Sequence, residues 1–191
     1  MQSDEILDFF KALDEELAHH AKEGETLELY LIGRSALILS YGLDLMTKDV
    51  DIIYVHGSKL QDKAEELFGK GTEGAEKWGF YLERVSSGLP PIPIGYQSRS
   101  IDVPGPWKVI RPKRPEVHDL AATKLKRFHA KDRVDLRILC DTGELSADGL
   151  RQALDSAFAF AADEEEDPGR KKAYKNLTTV IDYLEGRRRE L

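Results

Sequence analysis

Asp49 and Asp51 stand one residue apart in a run that otherwise reads as a buried strand, Val50-Asp51-Ile52-Ile53-Tyr54-Val55. Side chains two residues apart on a strand leave the same face, so both carboxylates project together. Like charges at that spacing repel, and burying them without a counter-charge is costly. A divalent cation shared between them resolves both problems, and Mg²⁺ commonly takes one or two carboxylates together with substrate phosphates. Upstream, the apolar run Leu29-Tyr30-Leu31-Ile32 passes through Gly33 into a short helical stretch, Arg34–Tyr41. Glycine permits close approach of a phosphate there, and a helix start offers free backbone N–H donors. A phosphate cradle followed by a metal-binding acidic strand is the pattern these residues suggest.

Two metal ions held together commonly need a third carboxylate on a neighbouring strand. Asp102, between Ile101 and Val103, has suitable surroundings, and Glu83 in Tyr81-Leu82-Glu83-Arg84-Val85 is its rival. The competing reading is structural, with Lys48 or Arg99 neutralising the aspartates as an ion pair. His56 follows the acidic strand closely and reads as a surface residue.

Elsewhere the apolar spacing predicts a first helix capped by Ser3, with Ile6, Phe9, Phe10, Leu13 and Leu17 on one face. Strands are expected over Leu27–Ile32, Thr47–Val55, Phe80–Val85, Ser98–Val103 and Trp107–Ile110, and a helix from Ser58 through Phe68. Gly88–Gly95 is too rich in proline for regular structure and reads as a crossing loop. Helices are expected over 115–129, 132–140, 146–161 and 172–187, with an acidic linker at 162–169. Strands alternating with helices and then helices alone imply an α+β fold: a mixed sheet of about four to five strands, flanking helices and a helical C-terminal bundle. The division expected is a sheet domain over 1–112 and a helical region over 113–191.

Charge is unevenly spread in this chain of net charge −7. Residues 1–106 carry −9, residues 107–137 carry +6 and residues 138–191 carry −4. A basic block in an acidic chain suits an anionic partner such as a nucleoside triphosphate or RNA, and equally a face that pairs with the acidic half. No run approaches the length needed to span a bilayer, and the single Cys140 forms no internal disulfide, so a cytoplasmic setting is expected.

Gly33-Arg34-Ser35-Ala36-Leu37, the helix ending near Gly42, and Thr47-Lys48-Asp49-Val50-Asp51-Ile52-Ile53 together resemble the nucleotidyltransferase superfamily of polymerase-beta type. The nearest likeness is to small bacterial proteins related to AbiE-type toxins and the minimal nucleotidyltransferases. The resemblance implies that Gly33 and Ser35 touch the nucleotide phosphates, that Asp49 and Asp51 bind Mg²⁺ or Mn²⁺, and that Lys48 lies at the site's edge. It also extends to Pro115–Arg127 and Lys131–Leu136, where a lysine of the first helix reaches the triphosphate. Lys124 is the nominee, with a salt bridge to Asp132 or Asp135 as its alternative. Ala121, Leu125 and Phe128 are expected to form the core stripe beside it. Arg34 stands where the family often has a second small residue, able either to contact phosphate or to obstruct the pocket. Asp102 would complete the metal site or deprotonate the acceptor.

The expected function is a Mg²⁺-dependent transfer of a nucleoside monophosphate from an NTP to a hydroxyl of RNA such as tRNA, a protein or a small molecule. The alternative is a catalytically impaired relative that acts as a toxin–antitoxin or regulatory component, binding an antitoxin partner or RNA. No membrane role is expected.

Overall fold

The computed structural model describes residues 2–54, 58–86, 90–159 and 167–191. The expectations for Val55, His56, Gly88–Leu89 and most of the acidic linker lie outside the described residues. The chain divides into two compact units, one of Met1–Val85 with Ser100–Pro115 and one of Ser86–Arg99 with Glu116–Leu191.

The first unit is built on a mixed five-stranded sheet in the order β3-β2-β1-β5-β4. Its strands are β1 (Leu27–Leu31), β2 (Asp49–Ile53), β3 (Tyr81–Arg84), β4 (Ile101–Asp102) and β5 (Ile110–Arg114). β1 runs antiparallel to β2 and parallel to β5. β2 runs parallel to β3, and β4 antiparallel to β5. Alternation gives the sheet two unlike faces. One carries Leu27, Leu29, Leu31, Val50, Ile52, Leu82 and Ile110, all buried. The registers place Asp49, Asp51, Tyr81, Glu83, Glu28, Tyr30, Arg111 and Lys113 on the other.

Helices α1 (Ser3–Ala18), α2 (Gly33–Tyr41), α3 (Lys59–Phe68) and α4 (Glu73–Trp78) complete this unit. The expected stripe Ile6, Phe9, Phe10, Leu13 and Leu17 of α1 is fully buried. Phe9 sits edge-on to Phe68, Trp78 and Phe80, with ring centroids 5.5, 6.4 and 6.4 Å away. Ser3 is not the cap. Gln2 takes that place, its N–H donating to Glu5, and the Ser3 hydroxyl instead donates to the Ile38 carbonyl at 3.0 Å. Helix α4 was not expected; the Thr72 hydroxyl caps it by accepting the Ala75 N–H, and Gly79 ends it at φ 71°.

Two expected strands move. Of Ser98–Val103, Ile101–Asp102 forms the strand and the Val103 N–H donates to the Pro112 carbonyl at 2.9 Å, while Tyr96–Arg99 coils into α5 in the second unit. The strand expected at Trp107–Ile110 begins at Ile110 because the N–H groups of Lys108, Val109 and Ile110 are taken by the buried Asp14 carboxylate, at 2.7, 2.8 and 2.8 Å.

The second unit contains α5 with α6 (Val117–Thr123), α7 (Ala130–Asp141), α8 (Ala147–Ala157) and α9 (Pro168–Leu184). One helix over 115–129 is not formed. The chain breaks after Thr123, and Phe128 adopts φ 54°, so Leu125 is buried as expected while Phe128 is only half-buried. The break is fixed by Asp132, which accepts the His129 N–H at 2.9 Å and both Arg127 guanidinium donors at 2.8 and 2.7 Å. α9 starts earlier than expected, at Pro168, because Asp167 accepts from the amides of Gly169 and Arg170. No helix among the described residues is long and apolar enough to cross a membrane.

Candidate metal and nucleotide site

Parallel pairing of β2 with β3 sets Asp51 opposite Glu83 and Asp49 opposite Tyr81. Carboxylate oxygens of Asp49, Asp51 and Glu83 all lie within 4.8 Å of one another. The two aspartates are half-buried and the glutamate is exposed. At that range each pair repels by roughly 1 kcal/mol in full solvent and about 3.5 kcal/mol at the effective dielectric near a protein surface. The Thr47 hydroxyl donates to the Asp49 carboxylate. Among the described residues, neither Asp49 nor Glu83 forms an ion pair. Arg99, one candidate counter-charge, instead holds the buried Asp119 with two hydrogen bonds of 2.9 and 3.0 Å inside the second unit. Lys48 is exposed, and its carbonyl accepts the Tyr81 N–H.

The turn between β1 and α2 is welded to this cluster. Ile32 donates its N–H to the Asp51 carbonyl at 3.0 Å. Gly33 follows at φ 67°, and a Cβ added there would land on the Asp51 carboxylate. Both its left-handed backbone and its lack of a side chain are therefore required. Gly33, Arg34 and Ser35 form the first turn of α2, whose N–H groups have no acceptor within the helix. The Ser35 side chain is fully buried and donates to the Ile32 carbonyl at 3.2 Å, so it is the backbone, not the hydroxyl, that this turn can offer to a phosphate. Arg34 turns its guanidinium onto the Met46 carbonyl at 3.2 Å, bracing the loop that leads into β2.

Two nominated residues are engaged by other partners. Asp102 is on β4 at the opposite edge of the sheet, three strand spacings from β2 or about 14 Å. Its carboxylate is exposed and accepts from Lys113 at 2.7 Å, so it stands apart from Asp49 and Asp51, whereas Glu83 lies beside them. Lys124 is only 4% exposed in its side chain and bonds Asp135 at 2.8 Å; its ammonium is committed to that buried pair, the structural alternative of its two roles. Tyr81 was not singled out. Burial, with Glu83, Asp49 and Asp51 around it, holds its phenol above the ordinary value, and Lys70 Nζ lies 5.7 Å from the ring centre. Its signal in the sequence was its position two residues before Glu83 on the same strand.

Three hard oxygen donors beside a glycine turn suit a small divalent cation and the phosphates it accompanies. The family model described as Nucleotidyltransferase of unknown function (DUF6036) matches residues 8–186. No curated protein and no solved structure matches the chain.

Proposed function

The chain belongs to this family of nucleotidyltransferases, and on that premise we propose that it moves a nucleoside monophosphate from an NTP to an acceptor hydroxyl with Mg²⁺ or Mn²⁺ held by Asp49, Asp51 and Glu83. The observation that carries the reading is the convergence of three carboxylates within 4.8 Å against the Gly33 turn. A divalent cation bound there supplies positive charge and Lewis acidity to the triphosphate oxygens. The protein's own part is positioning and charge placement, which is most of what phosphoryl-type transfer needs. Backbone N–H groups of Gly33, Arg34 and Ser35 hold the triphosphate, and Lys48 and Lys70 bring cations to the rim. The acceptor oxygen bonds to the α-phosphorus, the bond to the β-phosphate oxygen breaks, and Glu83 receives the acceptor's proton.

Calorimetric titration with Mn²⁺, then with each NTP, tests the assignment. Binding of metal and nucleotide is expected to be lost in Asp51→Asn while the far-ultraviolet spectrum stays unchanged. Equal binding by the variant and the parent protein defeats the metal assignment.

A further inference from the structure

The polar face of the sheet carries a cleft of about 640 Å³ toward its β4 edge. Its walls include Thr26, Glu28, Asp102, Trp107, Arg111 and Lys113, all of the first unit. β5 is two strand spacings from β2, about 10 Å, so the cleft and the three carboxylates are separate places on one sheet. Trp107 is a fixed wall. Its indole N–H donates to the Val103 carbonyl at 2.8 Å, and Phe10 meets it edge-on with ring centroids 6.4 Å apart. A Cβ on Gly105 would run into the indole, so the bare backbone of the turn packs directly on it.

Glu28 and Arg111 are register partners in the parallel pairing of β1 with β5, where opposite charges ordinarily meet. No ion pair joins them. Glu28 accepts the Tyr30 hydroxyl at 2.8 Å and approaches Lys113 Nζ only to 3.9 Å. Lys113 is itself bonded to Asp102 at 2.7 Å, so Glu28 keeps most of its charge. Arg111 is half-buried, and its Nη1 donates to the Ile110 and Trp107 carbonyls at 2.7 and 3.4 Å. Nε and Nη2 are left without a partner among the described residues. These two donors form the edge of a guanidinium that matches a carboxylate with two parallel hydrogen bonds. A half-buried guanidinium with no counter-charge is costly, and an anionic group in the cleft offsets that cost.

A polyanion does not suit these walls, because Glu28 and Asp102 repel it. A zwitterion does, since a free cationic edge and a carboxylate stand side by side without cancelling each other. We infer that the cleft binds a free α-amino acid with an aromatic side chain. Its carboxylate takes Nε and Nη2 of Arg111, its ammonium donates to Glu28, and its ring lies against Trp107. The volume falls in the range of small-molecule clefts, roughly 300–1,000 Å³. The inference stands on this cleft alone and does not depend on the NTP reading.

The test is calorimetric titration of the full chain with phenylalanine, with phenylpropanoate, which lacks the ammonium, with phenethylamine, which lacks the carboxylate, and with adenosine monophosphate. Saturable binding of phenylalanine is expected, with each truncated analogue weaker by about 10-fold, the scale of one lost charged hydrogen bond. Glu28→Gln keeps an oxygen for the Tyr30 hydroxyl; it should weaken phenylalanine by about 10-fold and leave phenylpropanoate unchanged. Arg111→Lys keeps the charge but loses the paired donors, and should weaken both. The ratio of the two affinities within one variant is read, so a partly destabilised variant still reports. Phenylalanine should bind equally with and without Mn²⁺ and in Asp51→Asn. The inference is overturned by no heat of binding up to about 10 mM phenylalanine, by equal affinity for phenylpropanoate, by tighter binding of the nucleotide, or by an unchanged ratio in Glu28→Gln.

Discussion

Gly33 and Asp51 constrain one another across the strand–turn–helix. The left-handed φ of Gly33 costs an L-residue about 1–2 kcal/mol by itself, and the Asp51 carboxylate fills the space where its Cβ would go. Gly33→Ala is therefore expected to lower stability by about 2–3 kcal/mol in urea unfolding and to abolish Mn²⁺ binding. Shortening the partner removes the clash but not the strain. The double variant Gly33→Ala/Asp51→Ala should thus be more stable than the sum of the single changes implies, by about 1 kcal/mol in a double-mutant cycle. Additive costs would show that the contact is not the cause. The sequence displays glycine before the helix and the two aspartates, which is why their chemistry could be read. Their mutual contact could not, because it depends on the register Ile32 N–H to Asp51 O.

At the scale of elements, β2 with its flanking Thr47 and the α1 stripe were legible because their periodicity is strong and uninterrupted. β5 was not. Pro112 argues against an inner strand and Arg111, Lys113 and Arg114 look solvated, yet Ile110 and Pro112 are buried on one face while Arg111 and Lys113 share the polar one. The choice between Asp102 and Glu83 stayed open for a related reason. Asp102 and Glu83 have equivalent local surroundings, and only the strand order β3-β2-β1-β5-β4 decides which stands beside Asp51. A break between two helices was expected near 130, but the early end of α6 at Thr123 was hidden by a pattern that stays helical to 129, from which Asp132 draws Arg127 and His129. Burial alone would raise the pKa of Asp132, but the Arg127 guanidinium and the His129 N–H outweigh it and hold the carboxyl below its ordinary value. A carboxyl depressed in the folded state contributes stability above its unfolded pKa, near 3.9, and loses it as pH falls through the folded value. The gap in unfolding free energy between the parent protein and Asp132→Asn should therefore be widest near neutral pH and shrink as pH drops below about 4. A gap that is constant with pH would assign the cost to packing. Asp119 works in the opposite sense: burial raises its pKa despite Arg99, so acid relieves a penalty there.

For the whole molecule, the proposed ion site in the acidic cluster would make stability a function of cation concentration. The repulsion among Asp49, Asp51 and Glu83 is carried by the folded state, and an ion bound there stabilises that state by mass action, about 2.7 kcal/mol at a hundredfold excess over its Kd. Melting temperature should rise with Mg²⁺ or Mn²⁺ in the parent protein and stay flat in Asp51→Asn, and an equal rise in both would point to ions bound elsewhere. The order of the sheet has another consequence, set by how the chain is made. The inner strand β1 pairs on one side with β2, which follows it closely, and on the other with β5, which comes much later. Asp14 likewise waits for amides 94, 95 and 96 positions downstream. At a ribosomal pace of about 5–20 residues per second, β1 spends roughly 4–17 s with an open hydrogen-bonding edge before Ile110 is translated. A nascent chain of this protein is therefore most vulnerable to strand-to-strand association, and most in need of a chaperone, in the interval between completing its acidic strand and gaining the strand that closes the sheet.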